Sequence, residues 1–362
     1  MRQTFCISNN LSRMSSVYLF HNSVAMSKHV SPPGGPPERA ARLTGIETAL
    51  EKTGIGALCI ERVVDHVYPR ASFVAEYGEA VVSAWEASVS KAGAFPIFDD
   101  ECGDIYWSAG SLEAVGIAAQ AAVSAVETAL AESAHAFAVV RPPGHHCFDL
   151  PAGFCIANNV VLAARAALAA GKRVAIIDWD YHFGDGTAQA LLKEPAAMFV
   201  SLHCEQARRR GPTYPQHPLK GDALLSRTKG RCFNIMWDYD DADDAAYAYA
   251  FDRVILPALH KHKPDVILVS AGYDALKGDM LAGMKLTPPL FHDLAAALKT
   301  VGVPVVCVLE GGYSPDLLGA GVCETLRGLL NPVAINLKAA SAGVKAMHAE
   351  TVDTVASALR LA

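Results

Sequence analysis

The chain has nine cysteines but no C-x-x-C pair, and their number is odd. With apolar neighbours around Cys59, Cys307 and Cys323, this predicts reduced, mostly buried thiols in a cytoplasmic-type compartment. Basic charge is not in excess: 31 Lys and Arg stand against 37 Asp and Glu, a formal charge of -6. That balance gives no electrostatic reason to expect nucleic-acid binding. The one basic cluster, Arg208-Arg209-Arg210, lies in a loop-like stretch and reads as a solvated face. No apolar run approaches the ~18–20 residues of a membrane span, so no membrane partner is expected. Acidic residues are missing before Glu38, while Arg2, Arg13 and several Ser stand near the start. This weakly resembles a transit peptide, but the reading adopted is a flexible extension over residues 1–15 with Met14 as an alternative start. Organelle targeting is the weaker alternative to a cytoplasmic location.

What is abundant is apolar: hydrophobic residues make up 51% and charged ones 19%, enough for a sizeable core. No linker-like break or internal repeat divides the 362 residues, so residues 16–362 read as one domain. Strands are predicted at 16–20, 60–66, 136–140, 173–177, 197–202, 233–237, 266–272 and 303–312. Helices are predicted from a start at Pro36-Pro37-Glu38 continuing through 43–52, at 71–92, 112–133, 158–170, after Thr187, at 240–261 with a kink at Pro257, at 289–300 and at 315–330. Residues 98–111 read as a polar, acidic loop with exposed aromatics, and 204–230 as a long loop. Near-continuously apolar strands alternating with helices imply a parallel sheet covered on both faces.

In such sheets ligands bind beyond the carboxyl ends of the strands. The stretch after 173–177 is Asp178-Trp179-Asp180-Tyr181-His182-Phe183-Gly184-Asp185-Gly186-Thr187. Side chains two apart on an extended chain share a face, so Asp180 and His182 can point at one place. A carboxylate oxygen and an imidazole nitrogen suit a zinc-like cation, while a polar, Gly-rich turn is the plainer alternative. Other strand ends carry Arg141-Pro142-Pro143-Gly144-His145-His146, Ser201-Leu202-His203, Ser270-Ala271-Gly272-Tyr273-Asp274 and Glu310-Gly311-Gly312-Tyr313. Together they are a parts list for metal-assisted hydrolysis.

The motifs RPPGHH, GFCIANN, DWDYHFGDGT, SLH, SAGYDALKGD and LEGGY resemble the histone deacetylase and acetylpolyamine amidohydrolase family, in its class II branch. The resemblance runs from about His29, in HVSPPGGPPERAARL, to Leu330. It implies a single-domain arginase-like α/β fold of about eight parallel strands with long active-site loops, and a Zn²⁺-dependent amide hydrolase. Asp180, His182 and Asp274 match the zinc ligands. His146 matches the general base, His145 its charge-tuning neighbour, and Asp178 and Asp185 their carboxylate partners. Tyr313 matches the hydroxyl that polarises the scissile carbonyl. Gly153 and Phe154 match the acyl-lysine tunnel, where a core Phe is the alternative. Asp178, Ser201 and the carbonyls of Asp180, His182 and Leu202 match a structural K⁺ site. His203, His217 and His262 are left as structural histidines.

Two positions depart from the usual class II text: Phe183 replaces a His and Asp185 an Asn. Phe183 predicts altered packing behind the metal, and Asp185 a more readily protonated His146. Asp104 aligns with the rim residue that grips substrate, and with Asp99, Asp100 and Glu101 it predicts an acidic mouth. Leu281 stands where polyamine-selective relatives carry Glu, which favours an acyl-lysine or small acylated amine over an acetylpolyamine. Two other classes stay open: a catalytically weak, metal-containing regulatory protein, and a binuclear ureohydrolase. The latter uses a D-x-H-x-D run, whereas this chain has D-x-D-x-H. A homo-oligomer is expected from the resemblance alone.

Overall fold

The structure, a computed structural model, describes residues 16–99, 104–204, 231–238, 240–281, 284–330 and 336–361. The N-terminal stretch 1–15, the Arg208–Arg210 cluster, His217, Asp100 and Glu101 lie outside the described residues. Eight strands form one sheet: β1 (Val17–His21), β2 (Ile60–Val63), β5 (His135–Ala138), β6 (Val174–Asp178), β7 (Ala197–Cys204), β8 (Cys232–Trp237), β9 (Val266–Ala271) and β10 (Val305–Leu309). Their order is β2-β1-β5-β10-β9-β6-β7-β8, and every pairing is parallel. The inner strands are buried along their whole length, as their unbroken apolar sequences require.

The chain winds outward from β1 in one direction and from β6 in the other. β9 and β10 then return to fill the gap between β5 and β6. This is the switch point of a doubly wound sheet, where strand carboxyl ends open a crevice. Helices Ala41–Thr53, Pro288–Lys299 and Pro315–Leu330 pack together, and Ser111–Glu132 packs on Asn159–Ala169. Ser111–Glu132 is long and apolar enough to cross a membrane, but two thirds of its apolar window is buried inside the fold. It is a core helix.

Several boundaries differ from the sequence expectation. The helix expected at 71–92 is two, Arg70–Tyr77 and Glu79–Ala92, divided at Gly78, whose φ of 84° no helix accepts. The helix expected at 240 starts at Asp244, where the Asp243 carboxylate caps the Ala246 N–H. Ahead of Pro257 the chain widens into a π-turn, Phe251–Ile255. Proline clashes with the carbonyl four residues back, and a wider turn relieves that clash. Helices Leu337–Ala340 and Ala346–Ala358 follow the region that the sequence motifs covered.

The stretch expected as an irregular loop with exposed aromatics contains a hairpin, β3 (Ile97–Phe98) against β4 (Tyr106–Trp107). Tyr106 and Trp107 are buried, and Trp107 joins Phe73, Trp85 and Ile156 in a second apolar cluster. Its indole Nε1–H donates to Asp99 at 2.7 Å, as does the Ser88 hydroxyl at 2.9 Å. Asp99, an exposed carboxylate, thus ties this hairpin to the helix Glu79–Ala92.

Candidate active site

β6 carries the chain to Asp178 and on through Asp180 to His182, while Asp274 follows just beyond the end of neighbouring β9. His182 Nδ1 lies 2.8 Å from Asp274 Oδ2 and 3.2 Å from Asp180 Oδ1. One ligand atom from each of the three buried residues lies within 4.8 Å of the others. Backbone N–H groups fix the carboxylates. His182 donates to Asp180 Oδ1 at 2.8 Å, Gly311 to Asp180 Oδ2 at 2.8 Å and Tyr181 to Asp274 Oδ1 at 2.9 Å. A Cβ at Gly272 would meet Asp180 Oδ2 at 1.9 Å, and one at Gly311 would meet Asp274 Oδ2 at 2.5 Å. Glycine at both positions is therefore a requirement of the cradle.

Burial pushes Asp274 up to about 6, with the Asp180 charge adding to the effect. Burial also opposes ionisation of Asp180, but His145 and His182 outweigh it and hold the pKa well below the usual carboxylate range. His182 is pushed up to about 9, because Asp274 and Asp180 more than offset the cost of burying its charge. Two carboxylates closing on one imidazole nitrogen away from water call for a cation between them. A donor set of two carboxylate oxygens and one nitrogen suits a divalent metal of the zinc type.

The tandem histidines sit on the turn after β5. His145 Nδ1 bonds Asp178 Oδ2 at 3.0 Å, His146 Nδ1 bonds Asp185 Oδ1 at 2.7 Å, and the two rings lie 4.2 Å apart. Each carboxylate fixes the tautomer and leaves Nε2 for other work. Burial opposes charge on His145, yet Asp180 and Asp178 raise its pKa well above that of an exposed imidazole. His146 goes the other way: burial and the adjacent His145 lower it, against the pull of Asp185. Their surroundings thus drive the two histidines in opposite directions, His145 towards the charged form and His146 towards the neutral one. Asp185 begins the helix Asp185–Leu191, three residues earlier than a helix after Thr187.

Tyr313 follows β10, with its ring 5.6 Å from that of Phe154 in an edge-to-face contact. Phe154 has a φ of 67° and its neighbour Gly153 one of 53°. A left-handed aromatic residue is strained and persists only where its surroundings demand it. Leu281 is half-buried, as is Asp104, which leads into β4.

Sequence reasoning quoted several supporting residues without giving them a role. Glu310 Oε2 accepts the N–H groups of Gly144 at 2.7 Å and His145 at 3.1 Å, fastening the histidine turn to β10. Burial pushes Glu310 up to about 7, although His145 and the Gly144 N–H draw it down. Arg42 donates Nε to the Gly312 carbonyl at 2.7 Å and Nη2 to the Glu310 carbonyl, with its guanidinium 5.2 Å from the Tyr313 ring centre. Beneath it, Glu38 accepts from Arg141 Nε at 2.8 Å and Nη2 at 3.1 Å, and from the Tyr106 hydroxyl. Burial opposes ionisation of Glu38, but Arg141 and Arg42 outweigh it and bring its pKa down to about 2. Such side-chain-to-backbone ties across long separations leave no periodic trace in a sequence.

Of the remaining candidates, Asp178 pairs in register with Ser201 on β7, both fully buried. Ser201 Oγ is bonded to His203 Nδ1 at 2.8 Å, and the Leu202 carbonyl accepts from the Tyr247 hydroxyl at 3.3 Å. His262 donates Nε2–H to the Val174 carbonyl at 2.9 Å, a structural role as expected.

A family model described as the histone deacetylase domain matches residues 36–329. Histone deacetylase 10, chloroplastic, of Oryza sativa subsp. japonica is 32% identical over 352 residues, covering 91% of this chain and 76% of that protein. The polyamine deacetylase HDAC10 of Danio rerio is 31% identical over 299 residues, 80% of this chain and 43% of that one. Histone deacetylase clr3 of Schizosaccharomyces pombe is 37% identical over 224 residues, and the matched part spans 31% of its length. The crystal structure of the HDA15 HD domain superposes with a TM-score of 0.82 at 26% identity, over 95% of this chain and 94% of that one.

Proposed function

The chain belongs to the histone deacetylase family, and from that premise we propose that it is a zinc-dependent amidohydrolase removing an acetyl or related acyl group from an N-acylated lysine or small amine. The observation that carries this reading is the convergence of Asp180, His182 and Asp274 on one point, with the His146 ring 5.9 Å from that of His182. In this reading those three side chains hold the metal. When bound, zinc supplies Lewis acidity that polarises an amide carbonyl and eases deprotonation of water.

The chain's own residues do the rest. His146, neutral and oriented by Asp185, takes a proton from the attacking water and returns it to the leaving amine. His145, kept charged by Asp178 and Asp180, tunes the field around that transfer. Tyr313 donates its hydroxyl to the carbonyl oxygen as negative charge develops there. Gly153, Phe154 and the half-buried Leu281 line the acyl-amine path, and Asp104 takes the substrate backbone or amine at the rim. The same reading includes a structural potassium ion at Asp178, Ser201 and the carbonyls of Asp180, His182 and Leu202, supported by the pairing of Asp178 with Ser201 across β6 and β7. It also includes a reducing compartment, supported by the seven described cysteines all being free.

An acetylpolyamine substrate is the second reading, favoured by the similarity to the Danio rerio polyamine deacetylase. Against it stands Leu281, an aliphatic side chain that gives a cationic amine no carboxylate partner. The test is a panel of acetyl-lysine peptides, acetylated polyamines and longer acyl-lysines, assayed with wild-type protein and Tyr313→Phe. Turnover of acyl-lysine above polyamine, cut about 10²–10³-fold by Tyr313→Phe, is the expected result. No turnover of any member by zinc-loaded wild type overturns the reading.

A further inference from the structure

We propose that Asp279 is a positioning residue that places the Tyr313 hydroxyl and ties it to the segment carrying Leu281. The proposal rests on the amidohydrolase reading above for the reaction it serves. Asp279 lies on the loop after β9, five positions past Asp274, and its side chain is buried. Its Oδ2 accepts the backbone N–H of Tyr313 at 2.7 Å and that of Ser314 at 3.0 Å. Its Oδ1 accepts the N–H of Leu281 at 3.0 Å. One carboxylate therefore holds three N–H donors drawn from two loops, and charge-assisted bonds of this kind are among the stronger ones.

The geometry of the Tyr313 loop explains the need for such an anchor. Gly312, just before it, has a φ of 118°, and the loop carries no regular structure between Leu309 and Pro315. Arg42 holds the carbonyl side through Gly312 and Glu310, while Asp279 holds the N–H side. The loop is clamped from opposite sides, which fixes the backbone from which the phenol projects. A hydroxyl that must meet a developing oxyanion tolerates little drift, and a displacement of about 1 Å costs roughly 10²-fold in rate. The second oxygen makes the device two-sided. Leu281 is set by the same carboxylate, so movement of the substrate-facing segment is passed to Tyr313 without intervening side chains.

Asparagine at this position keeps one acceptor and turns an N–H₂ group towards an N–H donor, so it can serve only one arm. Alanine removes both. The test compares wild type, Asp279→Asn, Asp279→Ala and Tyr313→Phe, and combines Asp279→Ala with Tyr313→Phe, using the full chain with zinc content measured on each. Asp279→Ala is expected to lower kcat by about 10²-fold with a much smaller change in KM and unchanged zinc. In the Tyr313→Phe background the same change is expected to cost less than about threefold, because its effect passes through the missing hydroxyl. Amide hydrogen exchange of a peptide covering 311–317 is expected to quicken in Asp279→Ala. Equal losses in both backgrounds, or unchanged exchange at 311–317, overturn the proposal. If wild type turns over no acylated amine, the amidohydrolase reading has failed, and the exchange measurement still decides whether Asp279 clamps the loop.

Discussion

The ring of Phe183 lies against that of His203, with centroids 4.6 Å apart and planes inclined at 35°. Phe183 is thus accounted for by packing: it lies against a buried imidazole, one residue after His182. His203 is kept neutral there, pushed down to about 3 by burial with His145 and His182 adding to the effect. Replacing Phe183 by His should retain turnover within about threefold, since neither ring is proposed to hold metal, while Phe183→Ala should destabilise the fold by less than the ~3–5 kcal/mol of a fully buried Phe, because Phe183 is half-buried. Chemical denaturation and a kcat measurement on both variants check this. A loss of zinc from Phe183→His would contradict the assignment.

Asp185 is 2.7 Å from His146 Nδ1 and raises that imidazole's affinity for a proton, against burial and His145. Asp185→Asn removes the raising influence, so His146 should hold its proton less tightly. A base must be unprotonated to act, so the acidic limb of kcat/KM should move to lower pH. The pH–rate profile of the two proteins is the check, and an unshifted acidic limb would count against His146 as the base.

His29, stacked on Tyr106 at 4.2 Å, is pushed down to about 3 by burial and the Arg141 charge, despite Glu38. Its folded pKa lies below that of an exposed imidazole, near 6.5. Between those values the unfolded chain binds a proton that the folded chain does not, so stability is present above about 6.5 and falls as pH drops. Between pH 7.5 and 4.5, metal-free wild type should lose about 2–3 kcal/mol more than metal-free His29→Gln. Parallel losses in urea titrations at the two pH values would contradict a buried neutral His29.

The fold was legible where a residue's neighbours in sequence share its environment. β6, β9 and β10 are buried on both faces, so their apolar runs announce them, and the residues after them reach the crevice. Asp180, His182, Asp274, the two histidines and Tyr313 could be singled out as candidates for that reason. Trp107 could not, because acidic neighbours suggested solvent while the indole finds its partner in Asp99 and its packing in a second cluster. Glu310 and Asp279 were equally silent, since their partners are backbone N–H groups 166 and 34 residues away. Pro257 announces a perturbed helix, but the wider turn at Phe251–Ile255 has no sequence signal of its own.

The most direct test of the central claim is a titration of metal-free protein with zinc, reading bound metal and acyl-amide turnover on the same samples. Turnover should rise in proportion to zinc and level off at one equivalent per chain, with Asp274→Ala abolishing both. Saturation at one zinc with no turnover of any acylated amine, or a requirement for two metals, would contradict it.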